Sequence, residues 1–291
     1  MPRKHIFIML FLTTFVLVLG YRSITLAGTL TIETKTTVKT EGDLLKGGIK
    51  VKNKGNVAAH NIQANVIVLG KQIKTPIKKL LMIDASHTFQ FEKMFKGIKK
   101  GRYPLSVIVD FHDANQYPFS AVSCSTFFFK EDANPDLFCV IDNLIMDRKG
   151  KLTINLKNRG SRLKDIRSTL ILPRELSSPR PQIGFDIESR SQKKVEFNIE
   201  NFYALSGASY PVFCVLEYDV IDTHCTALCK AVVTIEKRKN WFWRVRWFWV
   251  AIAGIFGAVF IIYRLKKNFT YPAMNTQNGK STFNKNTRKT G

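Results

Sequence analysis

The sequence predicts an all-β chain of two tandem β-sandwich domains, followed by one C-terminal transmembrane α-helix. Three observations predict this architecture. The middle of the chain repeats itself once, the repeated segments alternate apolar and polar residues, and an apolar segment stands near each end. Alternation with a period of two is typical of half-buried β-strands. The 291 residues accommodate two ordinary domains together with targeting and anchoring segments.

The start of the chain has the parts of an export signal. A basic beginning precedes an apolar stretch over residues 6–20, and the small residues Thr25 and Ala27 are spaced for cleavage after Ala27. The apolar stretch is shorter than the roughly 20 residues that a transmembrane helix needs. We therefore predict a signal peptide over residues 1–27, with an uncleaved anchor as the alternative.

An internal repeat sets the domain organisation. Blocks recur in the same order, 104 to 107 residues apart: 49–55 with 154–160, 61–68 with 165–172, 89–91 with 195–197, and 103–111 with 210–218. Matched blocks at one spacing indicate a duplicated domain. We predict the first domain over residues 29–131 and the second over residues 136–238, joined by a short polar linker.

Each repeat unit has the pattern of a β-sandwich. Apolar residues alternate with Lys, Asn, Thr or Arg, and turns such as those at Gly55 and Gly160 interrupt the strands. Branched residues such as Val66 suit a half-buried sheet surface. A unit of roughly 100 residues built from short antiparallel strands has the size of an immunoglobulin-like sandwich.

The turn motif and the strand after it resemble a known bacterial family. The Asn-x-Gly turn at 53–55, followed by Ala-His-Asn-Ile at 59–62 and alternating Val, is similar to the CARDB-type domains, immunoglobulin-like modules linked by name to cell adhesion. The second copy keeps Asn-x-Gly at 158–160 and Asp-Ile at 165–166, but has Leu-Lys at 163–164. The resemblance covers both domains and neither terminus. It implies a sandwich that spaces, displays or binds at the cell envelope.

An apolar segment near the C-terminus predicts a transmembrane helix over residues 247–263. Its 17 residues carry no charge and span roughly 25 Å at 1.5 Å per residue, near the lower limit for a membrane. Amphipathic rings favour the headgroup layer of a bilayer. The predicted membrane-interface belt consists of Trp241, Trp243, Trp247, Trp249 and Tyr263.

Small residues in the same segment predict helix packing. They form a ridge at spacings of four positions: Ala253, Gly254, Gly257 and Ala258. Close approach of backbones at small residues drives the association of membrane helices. We therefore predict self-association through this helix or contact with a partner span, with a plain anchor as the alternative.

The tail over residues 264–291 is basic, contains no acid and is predicted to be disordered and cytoplasmic. Basic residues also flank the other end of the helix, so the export signal decides the orientation. The predicted location is a cell membrane, crossed once, with the two domains in the periplasm or outside the cell.

The last hairpin of the second domain predicts a disulfide. Folding the chain about Ile221 and Asp222 places Cys214 opposite Cys229, both on inward-facing positions. Direct cross-strand neighbours lie within disulfide range, and an exported compartment permits oxidation. We predict a Cys214–Cys229 disulfide, with small core hydrophobes as the alternative role of these residues.

The same hairpin holds residue types that bind metals. His224, Cys225 and Cys229 follow Asp219 and Asp222. The cysteine pair is looser than the tight pairs of zinc sites, however, and Asp is a common turn residue. The other histidines are scattered, and no nucleophile elbow, zincin motif or Gly-rich phosphate loop occurs. We predict no catalytic residues, no metal and no cofactor, with an undetected hydrolase as the outlying alternative.

Charge indicates the kind of partner. The chain has 45 Lys and Arg against 22 Asp and Glu, a net charge of +23. Such an excess attracts nucleic acid or anionic envelope surfaces, and export excludes nucleic acid. Lysines at alternate positions of one predicted strand form an outward stripe: Lys46, Lys50, Lys52 and Lys54. Solvated lysines that protect a sheet edge are the alternative explanation.

The predicted function is therefore a non-enzymatic, membrane-anchored cell-envelope protein whose domains bind, adhere or act as spacers. The predicted partners are the membrane and another envelope protein or an anionic envelope polymer. The alternative is an accessory subunit of a membrane transport or secretion complex, in which the helix matters as much as the exported domains.

Overall fold

The computed structural model describes residues 29–237 and 246–269. Most of the described residues lie in strands, and the sheets form a sandwich-like arrangement, which confirms the all-β prediction. The predicted signal peptide, Trp241, Trp243 and the tail beyond residue 269 lie outside the described residues, and the side chain of Trp247 is not described either.

The first sandwich consists of β1 to β8. Its strands are β1 (Ile32–Glu41), β2 (Leu44–Asn53), β3 (Ala59–Val68), β4 (Lys71–Lys74), β5 (Lys78–Leu81), β6 (Ser86–Met94), β7 (Lys100–His112) and β8 (Pro118–Phe129). Strands β1, β2 and β6 form one sheet, and β3, β4, β5, β7 and β8 belong to the other. The alternating apolar residues of both sheets, such as Ile49 and Val107, meet in one buried core.

The second sandwich consists of β9 to β17. Its strands are β9 (Leu137–Ile141), β10 (Leu144–Met146), β11 (Lys149–Asn158), β12 (Leu163–Ile171), β13 (Leu176–Ser177), β14 (Gln182–Ile187), β15 (Gln192–Asn201), β16 (Ser209–Val220) and β17 (Thr223–Ile235). Strands β9, β11, β13 and β15 form one sheet, and β10, β12, β14, β16 and β17 belong to the other. A second core fills the space between them.

The repeated sequence blocks occupy equivalent strands in the two sandwiches. Strands β2, β3, β6 and β7 correspond to β11, β12, β15 and β16. The backbone deviates at the same place in both copies: Asn61 and Asp165 have positive φ angles of 51° and 53°, each at an irregularity of the strand register. Asn and Asp adopt this conformation more readily than most residues. The two copies therefore share a local backbone conformation as well as a sequence pattern.

Helix α1 (Arg246–Phe269) contains the segment 247–263, for which the sequence predicts a transmembrane helix. Its described apolar side chains are exposed on several faces, as at Ile255, Phe256 and Val259. No helix within the described residues is both long and apolar enough to cross a membrane. The segment is helical as expected, and membrane crossing stays a prediction.

The disulfide of the second sandwich differs from the predicted one. Cys214 and Cys229 are indeed direct cross-strand partners on β16 and β17. The bond nevertheless joins Cys229 to Cys139 on β9, with 5.7 Å between the two Cα atoms, and Cys214 is a free, buried thiol 3.1 Å from the Ser168 hydroxyl. Alternation within the hairpin places Cys214 opposite Cys229 but does not locate Cys139, which lies on β9 in the facing sheet, across the core.

Candidate functional site

The two sandwiches meet at a junction where their larger sheets join. Strand β17 pairs in parallel with the start of β7, His224 opposite Gly101, so that the strands form one ten-stranded sheet. Gly101 has a φ of 138°, and a Cβ at this position would overlap the carbonyl oxygen of His224. Glycine is required here because of both the backbone conformation and the close approach. Both sandwiches belong to one compact unit.

Apolar side chains that face away from both cores are buried at the junction. Val122 on β8 and Phe213 and Val215 on β16 are less than a tenth exposed but belong to neither core. Strand β8 of the first sandwich packs against β16 of the second. Removal of such apolar surface from water favours the docked arrangement of the two sandwiches.

A buried carboxylate connects the sandwiches at this interface. Glu175, which is 1% exposed, accepts hydrogen bonds from the backbone N–H of Ser120 at 2.7 Å and from its hydroxyl at 2.6 Å. The Ser120 hydroxyl in turn accepts the backbone N–H of Arg174 at 2.8 Å. Burial raises the pKa of Glu175 above its ordinary value, and the bonds from Ser120 oppose part of that effect.

An ion pair lies beside this carboxylate. The Arg174 guanidinium donates to Asp110 on β7 at 2.7 Å, and Asp110 also accepts a hydrogen bond from Asn65 at 2.6 Å. Burial raises the pKa of Asp110, although Arg174 opposes the rise. Charged groups held by several hydrogen bonds across an interface fix its geometry.

A cluster of charged and aromatic side chains surrounds His224, where β17 pairs with β7. The His224 ring stacks on Tyr103 with 4.3 Å between the ring centroids. Its Nδ1 lies 2.8 Å from Asp219 Oδ1, and its Nε2 lies 3.4 Å from Glu217 Oε1. Lys99 of the first sandwich donates to Asp219 at 2.8 Å.

The ionisation of this cluster follows from its contacts. Burial lowers the pKa of His224, but the bonds to Glu217 and Asp219 outweigh it and raise the pKa above its ordinary value. Burial raises the pKa of Asp219, but the bonds from Lys99 and His224 outweigh it and lower the pKa. The cluster therefore favours a charged network of Lys, His and carboxylates.

A groove of about 420 Å³ runs along the junction next to His224. Its lining combines apolar and polar side chains from both sandwiches, among them Ile67, Tyr103, Arg167, Gln182, Val215 and His224. Such a mixture suits binding, because apolar surface contributes affinity and convergent polar groups fix orientation.

The structure separates the residues that the sequence grouped as a weak metal candidate. His224 and Asp219 are in contact, whereas Cys229 is bonded to Cys139. Burial raises the pKa of the Cys225 thiol, which disfavours its metal-binding thiolate form. Within residues 29–237 and 246–269, no group of three or more His, Cys, Asp or Glu side chains is arranged to hold a metal ion.

Two of the four lysines that the sequence predicts as an outward stripe are in ion pairs, and no ion pair is found for Lys50 or Lys54 among the described residues. Lys46 lies 3.0 Å from Glu41, and Lys52 lies 3.7 Å from Asp84. Lys50 is exposed, as the alternation predicts. Ion pairs of this exposed kind are weak, but they reduce the positive field of the stripe.

The predicted ridge on α1 is sterically open. At Gly254 and at Gly257 an added Cβ meets no other atom within 4 Å, apart from the neighbouring backbone of the helix. Trp249 and Tyr263 of the predicted aromatic belt are both exposed. These two aromatic residues therefore present their rings at the surface of the helix.

The sequence did not reveal the residues that connect the sandwiches. Arg174 and Glu175 follow Pro173 in what reads as an ordinary charged turn, and Ser120 sits at an outward position of β8. Polar residues at outward positions of a strand are normally exposed to water, so nothing in the sequence indicates that these residues are buried.

The comparisons with known proteins are distant. No family model and no characterised protein sequence matches the chain. Solved structures with some likeness include red sea bream transglutaminase, at 14% identity and a TM-score of 0.27 over 75% of this chain and 32% of that chain. Trypsin-activated alpha-2-macroglobulin from Escherichia coli is 7% identical, with a TM-score of 0.28 over 71% of this chain and 18% of that one.

A Salmonella alpha-2-macroglobulin reacted with methylamine is similar at the same level, with 10% identity and a TM-score of 0.28 over 71% of this chain and 16% of that one. The chain spans less than a third of the length of each of these structures. Likeness at this level assigns neither an activity nor a partner.

Proposed function

We propose that the chain is a non-enzymatic, membrane-anchored cell-envelope protein whose two immunoglobulin-like, CARDB-type sandwiches act outside the cytoplasm as one binding or spacer module. The observation that carries the proposal is the junction itself. Buried apolar contacts, the Ser120–Glu175 bonds and the His224 cluster tie the sandwiches together.

Two sandwiches that are held in one fixed arrangement suit a role in spacing or display. Domains joined by a flexible linker move independently unless their interface is substantial. Here the polar network and the shared sheet oppose such movement, so the two domains present one continuous surface. The groove at the junction, built by both sandwiches, is then the natural place for a partner to bind.

The membrane anchor rests on the sequence. The uncharged segment 247–263, the aromatic residues around it and the acid-free tail after it are typical of a single-pass anchor. Strand β17 ends at Ile235 and α1 begins at Arg246, so only a short connection separates the second sandwich from the anchor along the chain.

The open ridge on α1 favours a second candidate function. Gly254 and Gly257 leave space for a neighbouring helix, as a subunit of a transport or secretion complex requires. In that case the helix contacts a partner span, and the sandwiches act as its exported accessory domain.

Protease treatment of intact spheroplasts tests the topology. The full chain carries an epitope after Gly291, and protease is added from outside. We expect digestion of the sandwiches with survival of a fragment that holds the epitope and resists alkaline carbonate extraction. Lysed spheroplasts and a cytoplasmic marker protein serve as controls. Loss of the epitope in intact spheroplasts would reverse the orientation, and carbonate release of the intact chain would rule out the anchor.

A further inference from the structure

The edge of the first sandwich that is formed by β4 and β5 is the surface from which the inference starts. Residues 71–83, which we call the lysine edge, comprise β4, β5 and the turns beside them. Both strands pair with β3, and within residues 29–237 no further strand pairs with their far sides. The edge contains exposed lysines and no acid: Lys71, Lys74, Lys78 and Lys79.

Aliphatic side chains are exposed along the same edge. Ile77, Met82 and Ile83 are 58%, 57% and 50% exposed, and Leu80 is 42% exposed, whereas Leu81 between them is buried. Single exposed aliphatic residues are ordinary, whereas four within residues 77–83 concentrate apolar surface in one short segment. The lysine edge therefore presents apolar surface and positive charge together.

The positive charge of the edge is uncompensated. Among the described residues, none of its four lysines lies within ion-pair distance of a carboxylate, whereas Lys46 and Lys52 of the β2 stripe both do. Unpaired positive charge attracts an anionic surface, and paired charge does so much less. The edge, and not the stripe predicted from the sequence, is the stronger anion-attracting surface of this sandwich.

Two kinds of partner combine negative charge with apolar surface: an anionic membrane, and an acidic segment that adds a strand to the sheet. The edge is poorly suited to strand addition. Pro76 interrupts it and has no N–H to donate, and β5 has only four residues. Met82 and Ile83 lie beyond the end of β5, where they are outside the hydrogen-bonding ladder.

We propose that the lysine edge binds an anionic lipid surface. The exposed aliphatic side chains of Ile77, Met82 and Ile83 enter the boundary between headgroups and acyl chains. The lysine stems lie along that apolar surface while their ammonium groups contact lipid phosphates. This contact holds the first sandwich to a membrane and is independent of the C-terminal anchor.

Lysine footprinting of the full-length chain tests this contact. The protein is mixed with vesicles of phosphatidylcholine alone, or of phosphatidylcholine with phosphatidylglycerol, and treated with a membrane-impermeant amine reagent. We expect modification of Lys78 and Lys79 to fall several-fold with the anionic vesicles only. Lys35 and Lys50, exposed on the opposite sheet, are internal controls whose modification should not change. Equal modification of Lys78 and Lys79 in both lipid mixtures would overturn the proposal.

Variants distinguish insertion of the lysine edge into the membrane from a general effect of the protein's net charge. Replacement of Ile77, Met82 and Ile83 by Ser, or of Lys78 and Lys79 by Gln, should abolish the protection at the remaining edge lysines. The matched control, Lys35→Gln with Lys50→Gln, makes the same charge change elsewhere and should retain it. Loss of protection in that control as well would show a nonspecific charge effect and would overturn the proposal.

Sedimentation of the same samples distinguishes this proposal from the anchor. Protein that sediments with neutral vesicles and resists alkaline carbonate is anchored, whatever its footprint. Protein that sediments only with anionic vesicles, is released by salt and protects Lys78 and Lys79 supports the lysine edge and rules out the anchor. Protection of the edge by an acidic peptide, with none from anionic vesicles, would assign it to a protein partner and overturn the lipid proposal.

Discussion

Asn53 in the first sandwich and Asn158 in the second make the same three hydrogen bonds. The side-chain NH₂ of Asn53 donates to the carbonyls of Val57 and Leu81, and its oxygen accepts the backbone N–H of Gly55. Asn158 donates to Ser161 and Glu188 and accepts from Gly160 in the same way. Both side chains are almost fully buried. The repeated Asn-x-Gly motif is therefore a buried clamp that holds a turn to the end of a neighbouring strand.

Loss of the clamp should destabilise the fold. Asn53→Ala leaves buried backbone groups without partners, and we expect the free energy of unfolding to fall by about 3 kcal/mol, with a similar loss for Asn158→Ala. Urea denaturation of the detergent-solubilised full chain measures the change. Asn155→Ala, at a partly exposed position of β11, is the matched control and should change stability by less than about 0.5 kcal/mol. A loss at Asn53 no larger than at Asn155 would contradict the clamp.

The disulfide should join Cys139 to Cys229. Peptide mapping under non-reducing conditions should recover that linked pair and a free Cys214. Cys139→Ser should lower stability by about 2–5 kcal/mol and remove the effect of reductant on the melting temperature. Cys124→Ser, which touches no disulfide, should keep the response to reductant. A linked Cys214–Cys229 peptide would show that the hairpin pairing is the correct one.

Stability should depend on pH through His224. The folded-state pKa of His224 is raised above 6.5, so its stabilising contribution is complete below that pH and is lost as pH rises through the raised pKa. His224→Gln should therefore lower the melting temperature well below pH 6.5 more than it does at alkaline pH. His87→Gln, on β6 away from the junction, is the control. A pH-independent difference from the wild type would mean that only the stacking on Tyr103 matters.

The contribution of Glu175 to stability should change with pH in the opposite direction to that of a salt-bridged carboxylate. Burial raises its folded-state pKa above 4.5, so the folded state holds the proton more tightly than the unfolded state. Stability through Glu175 should fall as pH rises from about 4.5 to the raised value and stay constant above it. Glu175→Gln should remove the part of this slope that comes from Glu175 in melting curves recorded against pH, while the buried Asp110 keeps its own contribution. The control Glu196→Gln, on the exposed face of β15, should retain the full slope, and a slope in Glu175→Gln as steep as in the wild type would refute the assignment.

Association through α1 should depend on its small residues. Replacing Gly254 and Gly257 by Ile fills the open ridge, and we expect crosslinking between membrane helices to disappear while insertion persists, because Ile favours the bilayer. A membrane two-hybrid or crosslinking assay measures this. Val259→Ile, which enlarges a residue off the ridge, is the control. Equal crosslinking by wild type and the double variant would leave α1 as a plain anchor.

The sequence by itself determined the strands, the duplication and the turns. Alternation of apolar and polar residues is a local property, so it locates strands such as β2 and β11 and the core residues they carry. The Asn-x-Gly motif likewise predicts a turn, because its hydrogen bonds begin within the motif. These features need no knowledge of what lies beyond each strand.

Only the tertiary structure decided how the sandwiches meet and which cysteines bond. Ser120 and Val122 lie on the face of β8 that points away from its own core, and alternation predicts that face to be solvated. Docking of the second sandwich buries it and brings Glu175 to Ser120. Cys139 reaches Cys229 for a similar reason, because β9 belongs to the facing sheet. A pattern of period two specifies which side of a strand is inward, but the partner on either side is chosen by packing between segments far apart in the chain.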